Sequence, residues 1–342
     1  MSNEPGNAYL ATRLDMLASR LLAFDELATV LAQDVPTIVA RINQAYAHGD
    51  DRLDDSGLGA GRFLGRRMFS DFQMMLRPFH ANDYRFLKQA MRWFELVNIK
   101  VLIRGKFNAV PESALLEQLS EMGSFADVPL RRLVETDDPL EMLRMLEQTP
   151  YGAIVRQARR VYEEQGHELF SLDSAIDRNF FIQLSHRALF LKRKDQALLK
   201  PVLGGLMDRF NLLWLLRFRF SYGLSAAKSY YLLSANGLKL DSARLMQLAR
   251  LDSPQAVVAQ LPDKLRQVAG ETRSVFELEQ LMEFYSLSAA ERGLYQSESL
   301  LVRCFSYLML REAEARYLNA IVKGKNLGFD DELIRLAVGG AG

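Results

Sequence analysis

Three stretches of this chain share one unusual spacing, and that recurrence limits what it can fold into more than any other feature. Each has an acid, a base nine residues later and a second base eleven residues later: Glu95, Arg104 and Lys106; Asp208, Arg217 and Arg219; Glu314, Lys323 and Lys325. The acids lie 113 and 106 residues apart. Apolar matches between the copies would arise in any buried helix. A repeated charge spacing at a near-equal offset marks an internal triplication. The starts of the copies agree: Asp138-Pro139 and Ser253-Pro254 are 115 residues apart, and Asp25-Glu26 lies 113 before the first pair. The chain of 342 residues therefore reads as three helical subdomains, over 1–117, 118–235 and 236–342, each a few short helices followed by a long one.

The periodicity predicts an all-α fold. Leu10, Leu14, Leu17, Leu21 and Leu22 recur at spacings of three and four, and the same pattern runs through 72–102, 180–220 and 276–322. No run alternates with period two between turn dipeptides. Pro36, Pro111, Pro139, Pro254 and Pro262 fall where helices would begin, and Asp138-Pro139 and Ser253-Pro254 read as an N-cap followed by proline at the first helical position. Turns are expected after each long helix, over 105–111, 223–225 and 324–330, with Gly105, Gly223 or Gly324 taking the left-handed conformation that ends it.

A helix turns about 100° per residue, so positions 0, 3, 7 and 11 of each copy share a stripe. These are Glu95, Asn98, Leu102 and Lys106; Asp208, Asn211, Leu215 and Arg219; Glu314, Tyr317, Ile321 and Lys325. The bases Arg104, Arg217 and Lys323 point the other way. Eleven helical residues span about 16 Å, so acid and base on one stripe cannot reach each other. Either each acid pairs with a base of a neighbouring unit, or the basic ends form a positive ring for a partner, or the charges are solvated surface.

Composition excludes several function classes. Net charge is +1, from 43 basic and 42 acidic residues, which gives no global electrostatic case for nucleic acid or anionic lipid. The most apolar stretch, 198–224, carries Lys200, Asp208, Arg209, Arg217 and Arg219, which is too costly for a membrane span. The start of the chain, 1–8, is polar and reads as no secretory signal. The single cysteine, Cys304, sits in an apolar helical run and reads as a buried structural thiol.

Other constellations are weaker. Asp50, Asp51, Asp54 and Asp55 resemble the aspartate-rich Mg²⁺–diphosphate motif of all-α prenyl synthases. However, His48-Gly49 and Ser56-Gly57 flank them, and such a context is a loop; the echo at Asp137-Asp138 reads as a helix start. Gly57, Gly59 and Gly61 follow no strand and form no dinucleotide fingerprint. His48, His80, His167 and His186 have no metal-ligand spacing. Lys192-Arg193-Lys194 reads as a solvated helix face, or as a contact with a membrane surface or acidic partner. No catalytic, cofactor or metal residue is expected.

The repeated segments resemble the C subunits of V-type/A-type ATPases, called d in eukaryotes. That family recurs in an acid, an asparagine, an aliphatic pair, then Arg-x-Lys or a close variant. Here the pattern is Glu95, Asn98-Ile99 and Arg104-Gly105-Lys106, then Asp208, Asn211-Leu212 and Arg217-Phe218-Arg219. The stretch from Arg311-Glu312-Ala313-Glu314 through Lys323-Gly324-Lys325 to Leu333-Ile334-Arg335 matches best, and Tyr9-Leu10-Ala11-Thr12-Arg13-Leu14 also fits. Tyr317 stands where the family usually has asparagine, so the third copy must make that contact differently. The resemblance implies a funnel-shaped protein with pseudo-threefold symmetry on the cytoplasmic rim of the membrane proteolipid ring. Its socket would receive the central shaft, built of the D and F subunits. It would turn with the rotor, peripheral to the membrane, with no cofactor, small-molecule substrate or nucleic acid, and would hydrolyse nothing. The rival reading is a helical-repeat adaptor unrelated to ATPases, although solenoid repeats have shorter periods.

Overall fold

The computed structural model describes residues 4–136, 138–164, 169–234, 237–270, 272 and 274–338. Asp137, His167 and the expected subdomain boundary at 235/236 lie outside the described residues. Among the described residues the fold is all-α, with one isolated bridge, His48 to Asp51, and no strand. Three long helices carry the recurring acids: Ala81–Phe107, Arg193–Leu216 and Leu300–Asn326. A short helix follows each of them: Glu112–Gln118, Ala226–Tyr231 and Asp331–Val338.

The chain forms two compact units. One gathers Met1–His80, Arg193–Arg209 and Leu261–Gly342, and the other Ala81–Lys192 and Phe210–Gln260. In the first, helix Leu300–Asn326 packs on Ala60–Leu76 and Val275–Gln296, burying Leu301, Val302, Cys304, Phe305, Leu318 and Ile321. In the second, Ala81–Phe107 packs on Leu169–Ala188, which also packs on Gly152–Glu164; Leu96, Ile99, Leu102, Leu172, Ile176 and Phe180 are buried there. Burying side chains of this size, at about 1.5–3 kcal/mol each, is what holds such helices in place.

Helix starts follow the sequence. Asp138 accepts from the N–H of Leu140 and Ser253 from that of Ala256, each ahead of a proline in the first turn. Asp34 caps Thr37 in the same way, ahead of Pro36. Pro111 and Pro262 sit one place earlier, as the N-cap residues themselves.

Helix ends depart from the expectation in an informative way. Gly105 and Gly324 do not end their helices; they lie inside them, and the left-handed residues come four later, at Ala109 (φ 52°) and Gly328 (φ 73°). Both ends close with the same bonds: Val110 N–H to Gly105 O and Ala109 N–H to Lys106 O; Phe329 N–H to Gly324 O and Gly328 N–H to Lys325 O. The interior glycines are there for space. A Cβ on Gly105 would fall 2.1 Å from Leu115 Cδ2, and one on Gly324 2.7 Å from Ile334 Cγ1, so each lets the following short helix fold back. The second copy has Phe218 at this position, and its chain widens into a π-helical turn, Arg217–Ser221, before the left-handed Gly223 (φ 65°).

Candidate functional site

The recurring acids are buried, and Glu95 and Glu314 meet chiefly the dipoles of other segments. Glu95 is fully buried on helix Ala81–Phe107. One carboxylate oxygen accepts the N–H groups of Asp127 (2.9 Å) and Val128 (2.8 Å), and the other accepts the Tyr151 hydroxyl (2.5 Å). Burial raises the Glu95 carboxyl above its ordinary range; the bonds from Tyr151, Val128 and Asp127 pull it back only in part. Burial beside that carboxylate in turn holds the Tyr151 phenol far above its usual range.

Glu314 repeats the arrangement with the two ends of the chain. It accepts the N–H of Leu22 (2.9 Å) and the hydroxyl of Tyr46 (2.7 and 2.8 Å to its two oxygens). Leu22 and Tyr46 are 24 residues apart, as are Asp127 and Tyr151. Here a guanidinium joins: Arg311, one turn earlier and fully buried, donates to Glu314 at 2.7 Å and lies 3.7 Å from the centroid of the Tyr46 ring.

The asparagine three residues after the acid also ties a distant backbone. Asn98 makes a two-way pair with Ser120, donating to its carbonyl and accepting its N–H, both at 2.8 Å. Asn211 accepts the N–H of Ser234 at 2.9 Å. Tyr317, the departure in the third copy, instead bonds Glu283, a buried acid paired with Arg209 (3.1 Å) and Arg316. Asp208 is fully buried and acts electrostatically on Tyr285.

These partners replace the acid–base pairing between units that the spacing suggested for Glu95 and Glu314. The reason is that the loops holding Leu22 and Asp127-Val128 present N–H groups outside any helix ladder, and a buried carboxylate satisfies them, Glu95 taking two at once. The bases have work of their own. Arg104 pairs with Asp173 at 2.6 Å, Arg219 donates to the carbonyls of Leu224 and Leu251, and Lys325 pairs with Asp331 at 3.0 Å. Arg217 lies over the Trp214 ring, Lys106 is half-buried and Lys323 is exposed. In the 50–55 loop, Asp51 pairs with Arg66 and Arg67, and Asp54 accepts the Ser56 N–H. Among the described residues no group of His, Cys, Asp or Glu is placed to hold a metal ion, and no helix is long and apolar enough to cross a membrane. Cys304 is fully buried, which pushes its thiol far up.

The family model for the ATP synthase (C/AC39) subunit matches residues 10–336. The chain belongs to that family. Among curated relatives, the A-type ATP synthase C subunit of Halorubrum lacusprofundi is 27% identical over 314 residues, covering 87% of this chain and 88% of the relative. The protein of the same name from Methanosarcina mazei is 23% identical over 337 residues, covering 96% and 91%. Among its described residues the chain is all-α, and the recurring acids sit on the three long helices, with the bases Arg217 and Arg219 of the second copy in the π-helical turn that follows.

Several partners lie outside the repeated charge motif: Tyr46, Tyr151, Arg311 and Asp173, and the buried pair of Lys100 with Asp177 on the same two helices as Arg104 and Asp173. One sequence signal does point to two of them. Tyr46 and Tyr151 are 105 residues apart, close to the repeat period, so aligning the copies on tyrosine as well as on charge would find both.

Proposed function

We propose that this chain is a non-catalytic coupling component of an A/V-type rotary ATPase, joining the central shaft, made of the D and F subunits, to the membrane proteolipid ring. It would work on the cytoplasmic side, peripheral to the membrane. Family membership over residues 10–336 is the observation that carries the reading. The relatives' names identify them as the C subunits of A-type ATP synthases, and the finer role rests on the chain's construction.

A part that passes torque must not deform locally. Three copies over 1–117, 118–235 and 236–342, each a long helix with a buried acid that in the first and third copies grips a distant segment, would meet that requirement. The third acid, Glu314, takes its partners from Leu22 and Tyr46, which belong to the first block. That bond ties the last long helix to the beginning of the chain within one compact unit. Arg104, Lys106, Arg217, Arg219, Lys323 and Lys325 remain candidates for contacts between blocks or with the shaft. Lys106 and Lys323 are the most available of them, because the other four are engaged within the chain.

The test is co-purification of the tagged chain from its own cells. The proteolipid ring and the shaft proteins should come with it, and charge reversal at Lys106 and Lys323 together should reduce their yield. Recovery of unrelated partners, with no ATPase component, would favour the adaptor reading.

A further inference from the structure

We propose that a cleft beside Arg178 receives a carboxylate-bearing side chain, flanked by apolar residues, from another protein. The cleft lies wholly in the unit that contains Ala81–Lys192 and Phe210–Gln260. It is a cavity of about 470 Å³ between helices Leu169–Ala188, Ala226–Tyr231 and Ser242–Ala249. Its walls are Ile182, Leu233, Leu245 and the rings of Tyr230 and Tyr231, with Arg178 as the charged member. A mostly apolar wall with one placed charge suits a ligand that has an apolar body and one ionised group.

The charge has no counter-ion among the described residues. Arg178 donates its Nε–H to the carbonyl of Leu233 at 2.9 Å, and its guanidinium lies 5.8 Å from the Tyr231 ring centroid. These contacts fix the fork and leave the two terminal nitrogens for an acceptor. The acids nearest in sequence are engaged elsewhere: Asp173 with Arg104, and Asp177 with Lys100. Burial pushes the Arg178 guanidinium below its ordinary value, and no acid among the described residues offsets this. A half-buried cation without an anion is a costly arrangement, and an incoming carboxylate would relieve it by a two-pronged bond.

The surroundings point the same way. Residues 223–252 contain four bases, Lys228, Lys239, Arg244 and Arg250, and two acids, Asp241 and Asp252. Asp241 is already the N-cap that accepts the Arg244 N–H. The basic balance of this segment suits an anionic partner. Ala227 and Tyr231 are exposed at the rim, Tyr231 by 49%. A free small molecule would stay partly wet there, whereas a side chain presented from a docked surface would be sealed by that surface.

The experiment uses the full chain and a panel of acetylated, amidated tripeptides with glutamate between leucine, phenylalanine or methionine, each with a glutamine twin. Binding is read by calorimetry and by Tyr and backbone NMR shifts. At least one glutamate peptide should bind saturably, at least tenfold tighter than its glutamine twin, with an affinity that falls as salt rises. Arg178→Gln should abolish that preference. Tyr231→Ala, a change at a ring that is 49% exposed, should weaken the glutamate peptide and so keep the test sound if Arg178→Gln unfolds. Equal binding of both twins, or no glutamate peptide bound at about 1 mM, a limit of about 4 kcal/mol, would overturn the proposal. So would inorganic phosphate binding at the same place as tightly as the best peptide, which would make the cleft a site for small anions.

Discussion

The two units build the same joint with their charges in different places. In one, the long helix Ala81–Phe107 meets Leu169–Ala188 through two ion pairs, Lys100 with Asp177 and Arg104 with Asp173, while the buried Glu95 is held by N–H groups and a phenol alone. In the other, the long helix Leu300–Asn326 meets Ala60–Leu76 with Asn319 at the position of Lys100. That face is so close that a Cβ on Gly61 would fall 2.7 Å from the Asn319 side chain. The charge has moved inward: Arg311 pairs with Glu314 at full burial. What the two share is a carboxylate that gathers backbone N–H and tyrosine hydroxyl groups. The ion pairs are the interchangeable part.

That contrast predicts unequal costs for the same substitution. Glu314→Gln leaves the Arg311 guanidinium buried without its counter-ion and should cost about 3–5 kcal/mol. Glu95→Gln disturbs neutral donors and should cost about 1–3 kcal/mol. Hydrogen exchange of each unit's core amides in increasing urea measures the two separately. Equal losses would break the comparison. Arg311→Met combined with Glu314→Leu should recover much of the first loss, because removing both charges avoids burying either one alone.

The pH dependence should separate the units further. Burial pushes Glu283 up, but the guanidinium groups of Arg209 and Arg316 more than offset this and hold it below its ordinary 4.5. Its contribution is therefore present above that value and lost as pH falls through the folded value. Glu95 is raised, so its contribution is fullest below 4.5 and is lost as pH rises through the folded value. The stability difference between the native chain and Glu283→Gln should grow as pH rises from below the folded value of Glu283 to above 4.5, and that for Glu95→Gln should shrink as pH rises from 4.5 through the folded value of Glu95. Parallel profiles would contradict the assignment.

Smaller effects should be alike in the two units, because the helix ends are alike. Gly105→Ala and Gly324→Ala crowd Leu115 and Ile334, and each should cost about 1–3 kcal/mol, less the helix propensity gained. Smallest and opposite in sign is Ala109→Gly. It relieves a left-handed alanine where the other unit already has Gly328, and should stabilise by about 1 kcal/mol, read as a rise in Tm.

The helices, their proline starts and the threefold recurrence are legible in the sequence because they depend on local patterns: spacings of three and four, caps, and a charge motif at fixed offset. The fate of those charges is not, since it depends on what arrives from far along the chain. Nothing near Glu95 announces that Asp127, Val128 and Tyr151 will meet it, and the bond from Leu22 to Glu314 spans almost the whole sequence. Gly105 misleads for a related reason. A glycine near a helix end usually marks a left-handed stop, and only the return of Leu115 reveals that its missing side chain makes room.

The coupling role is tested most directly by depleting this chain from the ATPase complex in sealed membrane vesicles and adding it back, while ATP hydrolysis and ion transport are followed together. Hydrolysis should continue without the chain, transport should stop, and purified chain should restore it. Undiminished transport in its absence would contradict the account, and so would ATP hydrolysis by the purified chain alone.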